Sequence, residues 1–315
     1  MNNDLSQPSE RARELVRGAV DLHVHLDPDV IRRRIDDVSL ARRCRETGQA
    51  GFVLKSHYVP TAERAALVRA AVPGVEVLGS ITLNTSVGGM NPLAVEIAAR
   101  EGARTVWLPT VDAVNETAGH EAPKPGQNLP AWAKMQHELR SQGMQVRPVP
   151  VVDDSGRVLP ETRAVLERVA HHQLVLATGH LSRDEIFAVV EAAFDAGVEQ
   201  VVVTHPEFPS QSLSEEDQLA LARKGAFLER CFTTPHTNKV SWEVWLSRTR
   251  AVGPERNVVS TDLGQPDNPA PEDGLALAAD RLLAGGFSEE EVLTMTLKNT
   301  RFLAGLAPMH AEVRP

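Results

Sequence analysis

The chain has 315 residues, enough for one large domain or two ordinary ones with a substantial buried core. Its formal net charge of −9 provides no basic surface for a phosphate backbone, so we expect no nucleic-acid partner. Two cysteines, Cys44 and Cys231, are too few for a disulfide framework or a thiolate zinc site.

The N-terminal segment MNNDLSQPSERAREL is polar and lacks the apolar core of a signal peptide. No apolar run further along the chain reaches the length needed to span a membrane. The low cysteine content agrees with a reducing compartment. We therefore expect a cytoplasmic protein with no membrane partner.

Eight short apolar runs follow, typical of buried β-strands. They cover residues 18–26, 51–58, 76–84, 105–111, 173–181, 200–207, 225–232 and 257–264. Most intervening segments carry apolar residues at spacings of three and four, and several end with glycine, which predicts α-helices. This alternation predicts an α/β fold, a (β/α)8 barrel that forms a single domain over residues 1–315. A doubly wound open sheet is the alternative, because strand number alone does not close a barrel.

The interval between the fourth and fifth runs is much longer than the others. Residues 113–172 contain a predicted helix that begins near Ala131 and a predicted turn at Asp154-Ser155-Gly156. Long excursions from a compact domain usually cover a functional site or decorate the surface. We predict that this insertion within the barrel is a lid, with surface decoration as the alternative.

Polar residues that suit a metal centre recur at the carboxyl ends of the predicted strands. They are His23 and His25 in VDLHVHLD, Lys55 and His57 in the second run, and His180, His205 and Asp262 in the fifth, sixth and eighth runs. Alternation along a strand puts His23 and His25 on the same face. The carboxyl ends of barrel strands meet at one rim, where active sites lie, so we expect these side chains to converge there.

Neutral imidazoles and a carboxylate suit a divalent ion, zinc first among them, and also manganese, iron or nickel. Four histidines and Asp262 exceed one tetrahedral shell with an open position. We therefore expect one or two divalent metal ions, with any histidine that binds no metal contacting substrate. A bound metal would make hydroxide available at neutral pH, and Asp262 would take up the proton and pass it to the leaving group.

These residues resemble the motifs of the amidohydrolase superfamily of metal-dependent hydrolases. The resemblance rests on HVH at 23–25, GH at 179–180, TH at 204–205 and TD at 261–262, and LKNTRFLAGL at 297–306 is similar to a helix that often follows the eighth strand there. It covers residues 18–306 and implies a deformed barrel. It also implies one ion bound by His23, His25 and Asp262 and a second bound by His180 and His205. With 22 residues before His23, we expect a branch without the β-sandwich domain of many members.

The fourth predicted strand lacks a residue that the resemblance leads us to look for. Members with two ions commonly bridge them with a carboxylated lysine or a glutamate, often from the fourth or the third strand, and TVWLPTVD has neither. Lys55 is the only lysine at the mouth end of a predicted strand. We predict that Lys55 is either a bridging carbamate or an ammonium group that pairs with a substrate carboxylate or a buried acid.

Further polar residues at the predicted mouth are candidates for substrate binding, namely His57, Asn84, Thr110, Asp112 and His236. For His57 a role behind a metal ligand is the alternative. The resemblance favours hydrolysis of a C–N bond in a small molecule, such as an amide, a lactam or a cyclic ureide. Lactone or phosphoester hydrolysis, decarboxylation on the same barrel, and a metal-binding barrel without activity are the alternatives. Exposed outer helices also allow a homo-oligomer.

Overall fold

The structure is a computed structural model, and it describes residues 7–117 and 131–308. The strands are β1 Val20–His25, β2 Gly51–Lys55, β3 Glu76–Thr82, β4 Ala103–Trp107, β5 Val175–Ala177, β6 Val201–Val203, β7 Phe227–Cys231 and β8 Asn257–Ser260. The helices are α1 Glu10–Leu15, α2 Asp37–Thr47, α3 Ala62–Ala71, α4 Pro92–Arg100, α5 Val114–Thr117, α6 Ala131–Ser141, α7 Pro160–His171, α8 Arg183–Asp195, α9 Glu215–Lys224, α10 Thr233–His236, α11 Trp242–Val252, α12 Pro271–Ala284, α13 Glu289–Leu293 and α14 Asn299–Ala304. Within these ranges no helix is both long and apolar enough to cross a membrane.

The eight strands are parallel and follow one another around the sheet in chain order. The ring closes just beyond the end of β8, where the chain pairs with β1. Asp262 N donates to His23 O and His25 N donates to Leu263 O, both at 2.8 Å. The predicted (β/α)8 barrel is therefore confirmed, and the doubly wound open sheet is wrong because its first and last strands would not meet.

Apolar side chains fill the inside of the barrel below the carboxyl rim. Val53, Trp107, Phe227 and Val258 point inward from four strands, and Leu303 of α14 packs against them. Separate apolar clusters lie between the outer face of the sheet and the helices. Since the interior is apolar, charged residues that face inward are concentrated where the strands end.

Helices α8 and α13 each begin at a capping box. Ser182 and Glu185 form a capping box at the start of α8, and Ser288 and Glu291 form another at α13. In each box the serine side chain accepts from the backbone of the third helical residue and the glutamate accepts from the serine backbone, so donors without an intrahelical partner are satisfied.

The described part of the segment between β4 and β5 contains three helices. The last of them, α7, packs between α4 and α8 in the outer ring, and α5 and α6 precede it. Gln136 of α6 donates to Asp112 Oδ1 at 2.6 Å and to Val111 O at 2.7 Å, which fixes α6 to the loop after β4. Residues 118–130 of the predicted lid lie outside the described residues, so the lid remains a prediction.

Candidate metal centre

Five imidazole rings lie side by side at the carboxyl rim of the barrel. Their centroids are 5.4 Å apart for His23 and His25, 4.9 Å for His25 and His57, 6.1 Å for His57 and His180, 5.0 Å for His180 and His205, and 6.2 Å for His205 and His23. All five residues are buried. They come from β1 and from the loops after β2, β5 and β6, so segments far apart in sequence build one cluster.

Two of these histidines converge on one carboxylate oxygen. His23 Nε2 and His25 Nε2 each lie 3.2 Å from Asp262 Oδ1, and the three groups offer ligand atoms that all lie within 4.8 Å of one another. Asp262 has a φ of 52°, a backbone conformation that non-glycine residues keep mainly at functional sites. Two imidazole nitrogens and a carboxylate oxygen are the donor set that zinc and similar ions take.

A buried glutamate orients His23. Glu229 Oε1 lies 3.0 Å from His23 Nδ1 and also accepts from Ser260 Oγ at 2.7 Å. A carboxylate against one ring nitrogen holds the proton there and leaves the other nitrogen free to bind a metal. The sequence analysis missed Glu229. A signal was available, because alternation along FLERC of β7 puts this acid on the same strand face as Phe227 and Cys231, and that face points into the barrel.

The amine of Lys55 lies beside the same imidazole. Its Nζ is 2.9 Å from His23 Nε2 and 4.9 Å from the centroid of the Trp107 ring, and the residue is only 2% exposed. Burial lowers the pKa of Lys55, against the opposing pull of Asp262 and Glu229. A lowered pKa eases formation of the neutral amine that a carbamate requires, while nearby acids favour an ammonium group, so both predicted roles remain open.

Burial and the charged groups around His23 have opposing effects on its pKa. Burial and the Lys55 ammonium lower the pKa of His23, but Glu229 and Asp262 outweigh them and raise it to about 9. Burial raises the pKa of Asp262, but His23 and His25 outweigh burial and hold it well below its usual range. The two carboxylates therefore stay ionised on either side of the imidazole and favour positive charge between them.

The neighbouring rings are held neutral. Burial lowers the pKa of His205 to about 3, and burial also holds the pKa values of His25 and His57 well below the ordinary range. The neutral imidazole is the form that binds metals. His205 has a φ of 23°, and within the described residues its buried Nδ1 makes no hydrogen bond. A buried nitrogen without a hydrogen bond is available to bind a metal ion or a substrate.

His180 lies next to His205, and within the described residues its buried Nδ1 also makes no hydrogen bond. Its Nδ1 is 3.1 Å from Glu116 Oε1, an acid that the sequence analysis did not identify. Phe208 packs against both rings, with centroids 4.9 Å from His205 and 6.3 Å from His180. The structure thus brings His180 and His205 together beside His23, and their predicted role as ligands of a second ion remains a prediction.

Three of the predicted substrate-binding residues form one hydrogen-bond network. His57 Nδ1 lies 2.8 Å from Thr110 Oγ1, and Asn84 Nδ2 donates to Thr110 Oγ1 and to His57 O, both at 2.8 Å. Thr110 N in turn donates to Asn84 Oδ1 at 2.9 Å. Asn84 and Thr110 therefore hold His57 in the wall of the cluster, and their contact with substrate remains a prediction.

The other two candidates lie in different surroundings. Asp112 is buried and accepts from Thr85 N at 2.8 Å and from Gln136 Nε2, so it ties the loops after β3 and β4 to α6. His236 is exposed and stacks on Phe232, with ring centroids 5.0 Å apart. Contact of Asp112 and His236 with substrate remains a prediction.

Gly264 allows the chain after β8 to approach β1. It has a φ of 132°, and a Cβ at this position would overlap the backbone carbonyl of His25. We expect Gly264→Ala to lower the free energy of unfolding by more than about 1 kcal/mol and to weaken zinc binding, because His25 must move. Urea unfolding and a zinc titration measure both effects.

Gly74→Ala is the matched control, since Gly74 also has a positive φ, 87°, but a Cβ there would meet no atom within 4 Å. Equal losses of stability in the two variants, with unchanged zinc binding, would mean that the close approach to His25 is unimportant.

The chain is similar to one protein family and to several solved structures. Residues 18–229 match the model of a family of unknown function, DUF6282. A search of curated proteins found no match. Similar solved structures include an amidohydrolase from Pseudomonas aeruginosa, with a TM-score of 0.58 and 12% identity, covering 94% of this chain and 99% of that chain. The probable dipeptidase PvdM from the same organism has a TM-score of 0.59 and 11% identity, covering 97% and 98%. At such identities the likeness shows the fold alone, so this chain shares the barrel of these solved structures.

Proposed function

The chain belongs to a family of unknown function, DUF6282, and we propose that it is a metal-dependent hydrolase that cleaves a C–N bond of a small molecule. The observation that carries this proposal is the convergence of His23 Nε2, His25 Nε2 and Asp262 Oδ1 at the carboxyl rim of the barrel. The names of the similar structures, an amidohydrolase and a probable dipeptidase, favour an amide-type bond as the target. Amides, lactams and cyclic ureides are the substrate classes that we expect.

His23, His25 and Asp262 would hold one divalent ion, and zinc, manganese, iron and nickel all accept two imidazoles and a carboxylate. The orientation of His23 by Glu229 supports this assignment, because it leaves Nε2 as the basic nitrogen. An ion bound there would lower the pKa of a water molecule toward neutrality.

Asp262 is the residue that would move the proton. Its Oδ1 faces the two imidazoles, and its Oδ2 accepts from Thr233 Oγ1 at 3.1 Å, which fixes the carboxylate plane. The carboxylate is ionised because its pKa lies well below the usual range, so it is able to accept a proton from water. The same proton then passes from Asp262 to the leaving nitrogen, which departs as a neutral amine.

Lys55 has one of two roles in this proposal. As a carbamate it would bridge the ion at His23 to a second ion at His180 and His205, and as an ammonium group it would pair with an acidic substrate. We expect Lys55→Ala to lower activity by more than about tenfold in either case, since the residue is buried against His23. Loss of one metal equivalent indicates the carbamate, and retained metal with a raised KM for acidic substrates indicates the ammonium.

Metal content by elemental analysis and steady-state kinetics measure these outcomes. Lys224→Ala is the control, because Lys224 is an exposed lysine that pairs with Glu191 on the outer helices. A Lys55→Ala protein with full metal content and full activity would remove both roles.

The proposed function is tested on the purified chain with a panel of dipeptides, N-acyl amino acids, lactams, cyclic ureides, lactones and phosphoesters. The expected result is turnover of a C–N substrate that a chelator abolishes and added zinc or manganese restores. Product formed in ¹⁸O-water must contain solvent oxygen, since hydrolysis consumes water. Release of carbon dioxide without solvent oxygen would indicate a decarboxylase, and bound metal without chelator-sensitive turnover would indicate a barrel that has no hydrolytic activity.

A further inference from the structure

Arg33 is a buried arginine at the carboxyl rim of the barrel. It is the central one of three consecutive arginines in the loop between β1 and α2, and it is 7% exposed, whereas Arg32 and Arg34 are exposed. Arg33 N donates to Asp27 Oδ1 at 3.0 Å, and Arg34 N donates to Gly264 O at 2.7 Å. These hydrogen bonds fix the loop against the chain after β8, so the position of Arg33 is well defined.

An aspartate holds one edge of the Arg33 guanidinium. Asp29 Oδ2 accepts from Arg33 Nε at 2.7 Å and from Nη2 at 2.6 Å, and both side chains are almost completely buried. Nη2 also lies 3.4 Å from His25 Nδ1. Among the described residues, Nη1 has no hydrogen-bond partner. Arginine has five N–H donors, so the two on Nη1 are available to a ligand.

The hydroxyl of Tyr58 is a second buried donor without a partner. Tyr58 lies in the loop between β2 and α3, and its oxygen makes no hydrogen bond within the part of the chain that the structure describes. Burial and the charge of Asp29 raise the pKa of Tyr58, and Arg33 opposes them, so both charges lie close enough to act on this hydroxyl. Because its pKa is raised, the hydroxyl keeps its hydrogen and remains a donor.

We propose that Arg33 Nη1 and the Tyr58 hydroxyl bind a carboxylate of the substrate, which makes the substrate an acidic amide such as an N-acyl amino acid or a dipeptide. This inference rests on the proposed function, because it names the substrate class of the same site. A carboxylate has two acceptor oxygens and no hydrogen, so it matches one guanidinium nitrogen and one hydroxyl. Asp29 holds the guanidinium in place before the substrate arrives, which reduces the cost of ordering it on binding.

The position of Arg33 also indicates where the substrate carries its acid. His25 Nε2 faces Asp262 Oδ1 at 3.2 Å, while Nδ1 of the same ring lies 3.4 Å from Arg33 Nη2. A single imidazole ring therefore separates the guanidinium from the nitrogen that is proposed to bind metal. An acid bound by Arg33 lies a few bonds from the C–N bond at the metal, as the α-carboxylate of an N-acyl amino acid does.

Binding of a matched pair of probes tests the proposal. Racemic N-methanesulfonylalanine and its carboxamide have the same size and differ in charge, and their sulfonamide bond resists hydrolysis. Isothermal titration calorimetry on the purified, metal-containing protein is expected to show tighter binding of the acid. Arg33→Gln is expected to weaken binding of the acid by roughly 10- to 100-fold and to leave binding of the carboxamide unchanged. Arg32→Gln is the matched control, an exposed arginine next in the chain that is expected to bind both probes as the wild type does.

Tyr58→Phe is the second variant, because loss of Arg33 leaves the buried Asp29 without its partner and lowers stability. The change removes a hydroxyl that has no partner among the described residues, so the midpoint of urea unfolding is expected to stay the same. Binding of the acid is expected to weaken by roughly 3- to 10-fold. Unchanged binding of the acid in Arg33→Gln or in Tyr58→Phe would contradict the proposal. Equal or absent binding of the two probes by the wild type would also overturn it.

The two proposals fail in different ways. The probes are bound and not cleaved, so a protein without hydrolytic activity leaves the test of Arg33 and Tyr58 intact. A loss of preference for the acid in Lys55→Ala but not in Arg33→Gln would assign the carboxylate to the lysine and overturn the role of Arg33. Either result leaves the assignment of the metal ligands unchanged.

Discussion

Asp262→Asn is expected to lower kcat by roughly 10²- to 10⁴-fold, the range that a positioned acid-base group contributes. An asparagine has the same size and keeps an oxygen near His23 and His25, but its amide is neutral and takes up no proton. The variant also loses the negative charge that lies 3.2 Å from both imidazole nitrogens, so metal affinity falls at the same time. Kinetics on the best substrate of the panel and elemental analysis of the variant measure the two effects.

Asp267→Asn is the matched control, because Asp267 is an exposed aspartate five residues further along the same loop. It is expected to keep both the wild-type kcat and the wild-type metal content. If Asp262→Asn behaves in the same way, then neither the metal site nor the proton transfer is where we place it.

Glu229→Gln is expected to weaken zinc binding by roughly 10- to 100-fold, the usual effect of removing the carboxylate behind a metal-binding histidine. The amide fits the same space, and Glu229 is 2% exposed, so the change is mainly one of charge and of hydrogen-bond character. An amide nitrogen turned toward His23 Nδ1 would donate to it and move the ring proton to Nε2, the nitrogen that faces Asp262. Competition with a chromophoric chelator measures the affinity.

Ser260→Ala is the comparison for Glu229→Gln. It removes the hydroxyl that donates to Glu229 Oε1 at 2.7 Å but leaves the carboxylate against His23. We expect a smaller loss of zinc affinity than in Glu229→Gln. Equal losses would mean that Glu229 acts by supporting the local packing, and unchanged affinity in Glu229→Gln would remove its role in orienting His23.

Much of the candidate site could be predicted because it depends on local rules. Alternation in β1 puts His23 and His25 on one face, and the convergence of parallel strands at one rim brings His180, His205 and Asp262 toward them. The strand order confirms this geometry. The number of metal ions and the state of Lys55 do not follow from these rules, since both depend on distances between groups on separate strands.

The residues that contact the histidines could not be predicted in the same way. Glu116 is an ordinary acid on a helix of four residues, and its neighbour His180 is 64 positions away in the chain. The network of Asn84, Thr110 and His57 likewise joins the loops after three different strands. The sequence placed Asn84, Thr110 and His57 at the predicted mouth, but it did not show that they hydrogen-bond to one another.

The amino-acid sequence by itself determined the eight strand-helix units and the set of polar residues at the strand ends, because hydrophobic periodicity acts over a few neighbouring residues. Only the tertiary structure decided that Asp262 meets both histidines of β1 through one oxygen and that Glu229 lies against His23 Nδ1. The physical reason is that hydrogen bonds and charges are effective over a few ångströms in space, and only the closed barrel brings residues from distant parts of the chain to that distance.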